Sequence, residues 1–179
     1  ALDAENDDAM QGFSALESSF TEPTQHVRKM RAELGRAEPE KALEIRLGLA
    51  KLLEEELEDV QGAKDVLNEQ LAIDGPVAEP YDQLYRLHES SEDWAALSDL
   101  LEQKALHAAE DEETPSDEAE ELALLQQAID IRHEHLADQD ADRLEKLYNE
   151  VLKRRPDDEI ILGRLVEQLR AASRWDDMA

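Results

Sequence analysis

The apolar residues of this chain recur at three- and four-residue spacing, and the pattern then returns about 80 residues later. Ala42, Ile45, Leu49, Leu52, Leu53 and Leu57 mark one face of a helix over 39–57, with Pro39 in the first turn, where its missing N–H costs nothing. Asp59 opens a short break, and Ala63, Val66, Leu67 and Leu71 carry a second helix that stops at Gly75-Pro76. A third run holds Tyr81, Leu84, Tyr85 and His88 and breaks across 89–93. A fourth opens on Trp94 and continues through Leu97, Leu100, Leu101 and Ala105. The apolar–polar alternation of a half-buried strand appears over no useful length.

An offset of 81 residues maps Tyr81 onto Leu162, Leu84 onto Leu165 and Asn68–Leu71 onto Asn149–Leu152. It also maps Trp94 onto Trp175 and, backwards, onto Phe13. Further upstream the offset becomes 79, pairing Leu52 with Ile131 and Leu57-Glu58-Asp59 with Leu136-Ala137-Asp138. A two-residue insertion between Leu136 and Leu144 accounts for the change. Insertions in loops with registers kept in helices are the signature of a repeat.

The charge balance limits what such a stack can meet. Asp and Glu number 46 against 19 Lys and Arg, for a net charge of −27. That excess repels phosphate, which argues against nucleic acid as a partner. No stretch approaches the roughly 20 apolar residues of a membrane span, so no membrane insertion is expected. With no Cys, disulfides, thiolate zinc sites and cysteine nucleophiles are excluded. Aromatics at 4% and charged residues at 36% raise the question of disorder, but the 41% apolar residues are patterned rather than scattered. Six Gly and six Pro are too few for a turn-rich β protein. All-α is the expected class. The chain opens on Ala1 without Met, as a processed chain or a fragment would, and the cytoplasm is the compartment expected if no signal was removed.

Each period of about 80 residues holds four helices, hence two helix pairs. The expected division is 1–38 as N-terminal helices forming a degraded or capping repeat, then helix pairs at 39–76, 77–114 and 115–156. Residues 157–179 make an incomplete pair, as in part of a longer array. The stretch Tyr148-Asn-Glu-Val-Leu-Lys-Arg-Arg-Pro156, followed by Leu162, Leu165, Val166 and Leu169, resembles the tetratricopeptide repeat, a large-then-apolar motif ahead of a helix-terminating proline. Val66-Leu67 to Pro76, followed by Tyr81, Leu84 and Tyr85, is a second copy, and the resemblance covers residues 40–179. It departs in period, about 40 against the family's 34. The resemblance implies an α-solenoid, a right-handed superhelix of antiparallel helix pairs whose concave groove binds peptides. Inner positions then include Gln83, Gly163, Glu167 and Arg170, and the candidate partner-binding groove is Gln83, Arg86, Glu167 and Arg170. The basic carboxylate clamp of some such proteins is not matched.

Motifs for chemistry fare poorly. Asp138-Gln-Asp140-Ala-Asp142 has calcium-loop spacing, but Arg143 stands where glycine is required and Asn149 where glutamate is, so a loop with an Asp helix cap is the better account. His133 and His135 are two residues apart and point away from each other on a helix, so surface histidines are expected rather than a metal pair. Most Glu fall on the solvent side of the periodicity, and no phosphate loop or nucleophile motif occurs. No catalytic, cofactor-binding or metal-binding residue is assigned, no cofactor is expected, and the chain is not read as an enzyme. Trp94 and Trp175, at equivalent repeat positions, are expected to pack between helix pairs. The acidic run Glu110–Glu121 reads as a solvated loop and helix start, and the basic cluster His26-Val-Arg28-Lys29-Met-Arg31 as the counterpart of nearby acids.

The expected function is a non-catalytic scaffold for protein–protein interaction, holding a peptide or helix of a basic partner in its groove. The alternative is a structural, self-associating segment of a larger protein, its acidity serving solubility in salt. Oligomeric state is left open.

Overall fold

A computed structural model describes residues 22–110, 118–136 and 141–171 of the chain. Among the described residues there are eight helices and no strand. They are α1 (22–34), α2 (Pro39–Glu55), α3 (Val60–Asp74), α4 (Ala78–Ser90), α5 (Trp94–Glu110), α6 (Glu118–His135), α7 (Ala141–Arg154) and α8 (Glu159–Ala171). The chain is all-α. It divides into two compact units between Leu87 and His88, a boundary inside α4.

In the first unit α2 packs on α3 along the apolar stripe read from the sequence. Leu49, Ala50, Leu53, Ala63, Leu67 and Leu71 are all buried there. Burying each of these leucines stabilises by about 1.5–3 kcal/mol, which lets a helix of modest intrinsic propensity persist. Pro39 is the first residue of α2, as expected. The helix stops at Glu55, short of Leu57, and the chain turns through Glu58, whose φ of 52° is left-handed. Asp59 then caps α3, its carboxylate accepting from Gly62 N–H at 2.8 Å. A Cβ on Gly62 would lie 2.3 Å from that carboxylate, so a larger residue here would make the Asp59 side chain shift. α3 ends at Gly75, whose φ of 76° and ψ of −169° suit glycine alone.

In the second unit α5 packs extensively on α6, α6 on α7, and α7 on α8. Because α6 has a neighbour helix on two sides, its buried residues are not confined to a narrow stripe: Leu122, Leu125, Ala128, Ile129 and Arg132 are all enclosed. The turn before α5 is a Schellman motif. Asp93 N–H donates to His88 O (2.9 Å) and Glu92 N–H to Glu89 O (3.1 Å), with Glu92 at φ 55° where glycine is usual. α5 begins on Trp94, as the sequence pattern requires. α7 stops at Arg154, ahead of Pro156, and Asp158 caps α8 by accepting from the Ile160 and Ile161 N–H groups, both at 3.1 Å.

The sequence repeat has a counterpart in burial. Ala42, Leu49, Ala50 and Leu53 of α2 are buried, and so are Glu121, Ala128, Ile129 and Arg132 of α6, 79 residues on. Ala63, Val66, Leu67 and Gln70 of α3 are buried, and so are Leu144, Leu147, Tyr148 and Val151 of α7, 81 residues on. The register returns at both offsets. The agreement weakens in α8. Of the repeat-matched apolar positions Leu162, Leu165, Val166 and Leu169, α8 buries Leu169, and it buries Ile161 in place of Leu162. Leu162 is 39% exposed and Ile160 69%. A run of three apolar residues, Ile160-Ile161-Leu162, leaves the helical phase ambiguous in the sequence.

Candidate functional site

The four groove residues fall in both units. Gln83, on α4, is half-buried and Arg86, on the same helix, is exposed. Arg86 is engaged: its two Nη atoms donate to both oxygens of Glu54 on α2, at 2.7 and 2.6 Å. This bidentate bond holds the Glu54 carboxyl below its usual range and raises the guanidinium. Arg86 therefore ties α4 to α2 before it meets any ligand. Glu167 and Arg170 both lie exposed on α8, and Gly163, on the same helix, has open space where a Cβ would stand.

The most developed polar arrangement lies where sequence reasoning placed no site, across α5, α6 and α7. Ser98 Oγ, fully buried, donates to Ala128 O at 3.0 Å and accepts from Arg132 Nε at 2.7 Å. Arg132, only 1% exposed, also donates through Nη2 to Asp99 Oδ1 at 2.5 Å and reaches Ala95 O at 3.5 Å. Arg143, on α7, stands 3.2 Å from Asp99 and 2.8 Å from Glu102 Oε2. Two cations thus face two carboxylates. Glu102 is 7% exposed, and burial pushes its carboxyl up despite the pull of Arg143. A cleft of about 310 Å³ lies beside this cluster, lined by Asp99, Glu102, Gln103, Leu106, His107 and Arg143.

A second layer of polar contacts joins α6 to α7 and α8. Arg154 Nε donates to Glu121 at 3.1 Å, and Arg164 Nη1 to Asp130 at 3.2 Å. Glu102 and Glu121 are the exceptions, among the described residues, to the expectation that most Glu lie on solvent faces. His133 and His135 are exposed, as expected, yet both are engaged. His133 Nε2 hydrogen-bonds the Tyr148 hydroxyl, and burial lowers the imidazole pKa while raising the phenol. His135 stacks on Trp94 with ring centroids 3.9 Å apart and planes 11° from parallel. The two point apart, as their spacing requires, but each is engaged by a neighbouring helix. Trp94 is accordingly an α5–α6 contact that is half-buried, not enclosed.

A repeat-based comparison could have found the cluster: Arg132 occupies the position of Leu53, and a charge where the repeat places leucine demands a buried partner. Ser98 and Asp99 carry no such signal. Trp175, Phe13, Asp138, Asp140 and residues 111–117 of the acidic run lie outside the described residues.

Chemically, the cluster is a paired network. Its carboxylates are matched by guanidinium groups, and its hydroxyl is used twice. Such an arrangement fixes three helices in register more readily than it turns over a substrate. Among the described residues no His, Asp and Glu side chains gather as a metal site would need, and no helix is long and apolar enough to cross a membrane. Comparison with known proteins finds no protein-family model, no curated protein and no solved structure that matches this chain.

Proposed function

We propose that the chain is a non-catalytic scaffold for protein–protein interaction, a tetratricopeptide-like α-solenoid that holds a peptide or helix of a basic partner in its groove. The observation that carries this reading is the return of the burial register, α2 in α6 at 79 residues and α3 in α7 at 81. Helical units that reuse their packing positions stack by nearest-neighbour contacts, and such stacks serve as extended binding surfaces. Charge supports the choice of partner. A net charge of −27 attracts cationic segments and accelerates their encounter, an effect that salt screens.

A peptide library selected against the full chain tests the proposal. Enriched sequences should carry Lys or Arg beside apolar anchors. Their affinity should fall with salt and should drop at least about tenfold on Glu167→Lys, since rim charges act through attraction at range. Selection that enriches nothing over the starting library would overturn the reading.

A further inference from the structure

One corner of the molecule runs against the charge of the rest. Residues 22–41 hold five of the 19 Lys and Arg but only four of the 46 Asp and Glu. They form α1 and the turn into α2, and a cleft of about 570 Å³ opens there. Lys29, Arg36 and Lys41 line it, with Glu33 and Glu38 on the same walls and two alanines between them. The acids of residues 1–21 that could answer this basic cluster lie outside the described residues. Lys41 approaches Glu33 at 3.5 Å. Among the described residues, Arg28, Lys29, Arg31 and Arg36 are exposed and none has a carboxylate within 4 Å.

That arrangement is unusual for a chain with more than twice as many acids as bases, because carboxylates are abundant and close pairing would be easy to achieve. Exposed ion pairs gain little, so the lack of pairing costs the fold little. It leaves a local positive site on a negative molecule. Arg36 offers a planar fork that matches a carboxylate through two hydrogen bonds, and Lys29 and Lys41 add mobile charges on either side. The cleft has the size of a small-ligand site, roughly 300–1,000 Å³.

We propose that this α1–α2 corner is a docking surface for a short acidic segment of a partner protein. A long polyanion fits less well. Beyond about one Debye length, roughly 8 Å at physiological salt, the remaining carboxylates of the chain take over and repel an extended nucleic acid or an anionic bilayer. A compact cluster of Glu or Asp stays within the positive region. This surface is separate from the groove proposed above and opposite to it in ligand charge, so either reading can fail alone.

Fluorescence anisotropy of a labelled hexaglutamate peptide, titrated with the full chain, tests the docking surface. The peptide should bind, and binding should weaken at least about tenfold when sodium chloride rises from about 50 to about 300 mM, as screening requires. The Lys29→Glu/Arg36→Glu variant should lose binding, while Lys146→Glu, the same charge reversal on α7, should leave it unchanged. All three positions are exposed, and far-UV circular dichroism verifies that each variant stays helical. Lys29→Gln/Arg36→Gln, which removes charge without reversing it, should weaken the peptide by an intermediate factor. Equal affinity of the charge-reversal variant and the parent chain would overturn the proposal. So would tighter binding of a single-stranded DNA oligonucleotide than of hexaglutamate, which would assign the corner to nucleic acid.

Discussion

The α2–α3 pair and the α6–α7 pair occupy the same register with different chemistry. Where α2 buries Ala42 and Leu53, α6 buries Glu121 and Arg132. Where α3 buries Gln70, α7 buries Val151. The backbone pattern is shared, and the side-chain solution is local to each unit. Arg132 is tolerated at a leucine position because α5 supplies Ser98 and Asp99 within hydrogen-bond reach, and Glu121 because Arg154 comes down from α7. A repeat therefore conserves which positions face inward more strictly than it conserves what fills them.

If that comparison is right, moving the charge to the other unit should be ruinous. Leu53→Arg places a guanidinium at a site 3% exposed, on the buried face of α2 that also carries Leu49 and Ala50. The expected loss exceeds about 4 kcal/mol, the range for an unpaired buried charge, and should appear as vanished hydrogen-exchange protection across α2 and α3. Retained protection would mean that the α2–α3 core admits a charge as readily as α6 does.

Trp94→Ala should cost about 2 kcal/mol, below the about 3–5 kcal/mol expected for a fully enclosed Trp, because the indole is half-buried and stacked on His135. Urea unfolding would register the difference. Helix ends give a smaller pair of effects with opposite signs. Gly75→Ala, at φ 76°, should destabilise by about 1–3 kcal/mol. Glu92→Gly, at φ 55°, should stabilise by up to about 1 kcal/mol, since glycine pays no Cβ penalty in the left-handed region. The thermal midpoints of the two variants should move in opposite directions.

The two units should also answer acid differently. Glu54, tied to Arg86, has its pKa lowered, so its contribution is present near neutrality and lost as pH falls below the ordinary carboxylate range. Glu102, desolvated, has its pKa raised, so its contribution is full at low pH and lost as pH rises through the folded value. Protection in α2 should thus weaken under mild acid while the α5–α7 contact gains. Glu54→Gln and Glu102→Gln should each flatten the dependence of their own region. The sizes are small, because the first pair is largely exposed and Arg143 offsets the second.

Much of the fold was legible in the sequence. The stripe through Ala42, Leu49 and Leu53, the stop at Gly75-Pro76 and the start of α5 at Trp94 follow from local signals, spacing and turn chemistry. The polar network was not legible. Ser98 and Asp99 look like ordinary solvent-face residues until α6 is laid against them, because pairing across elements leaves no local trace. The phase of α8 was misread because three adjacent apolar residues fit either of two faces. For the groove, Arg86 could be read as basic and outward, but its commitment to Glu54, 32 residues away, could not.

The most direct test restores to α6 the residue its register partner carries. In Arg132→Leu, Asp99 keeps Arg143 at 3.2 Å, and Ser98 keeps its donation to Ala128 O. Exchanging a buried ionic group for a packed apolar one is often near neutral, so protection of the α6 amides should change by less than about 1 kcal/mol. A loss of about 3 kcal/mol or more would contradict the account, because the register would then not be an interchangeable repeat position.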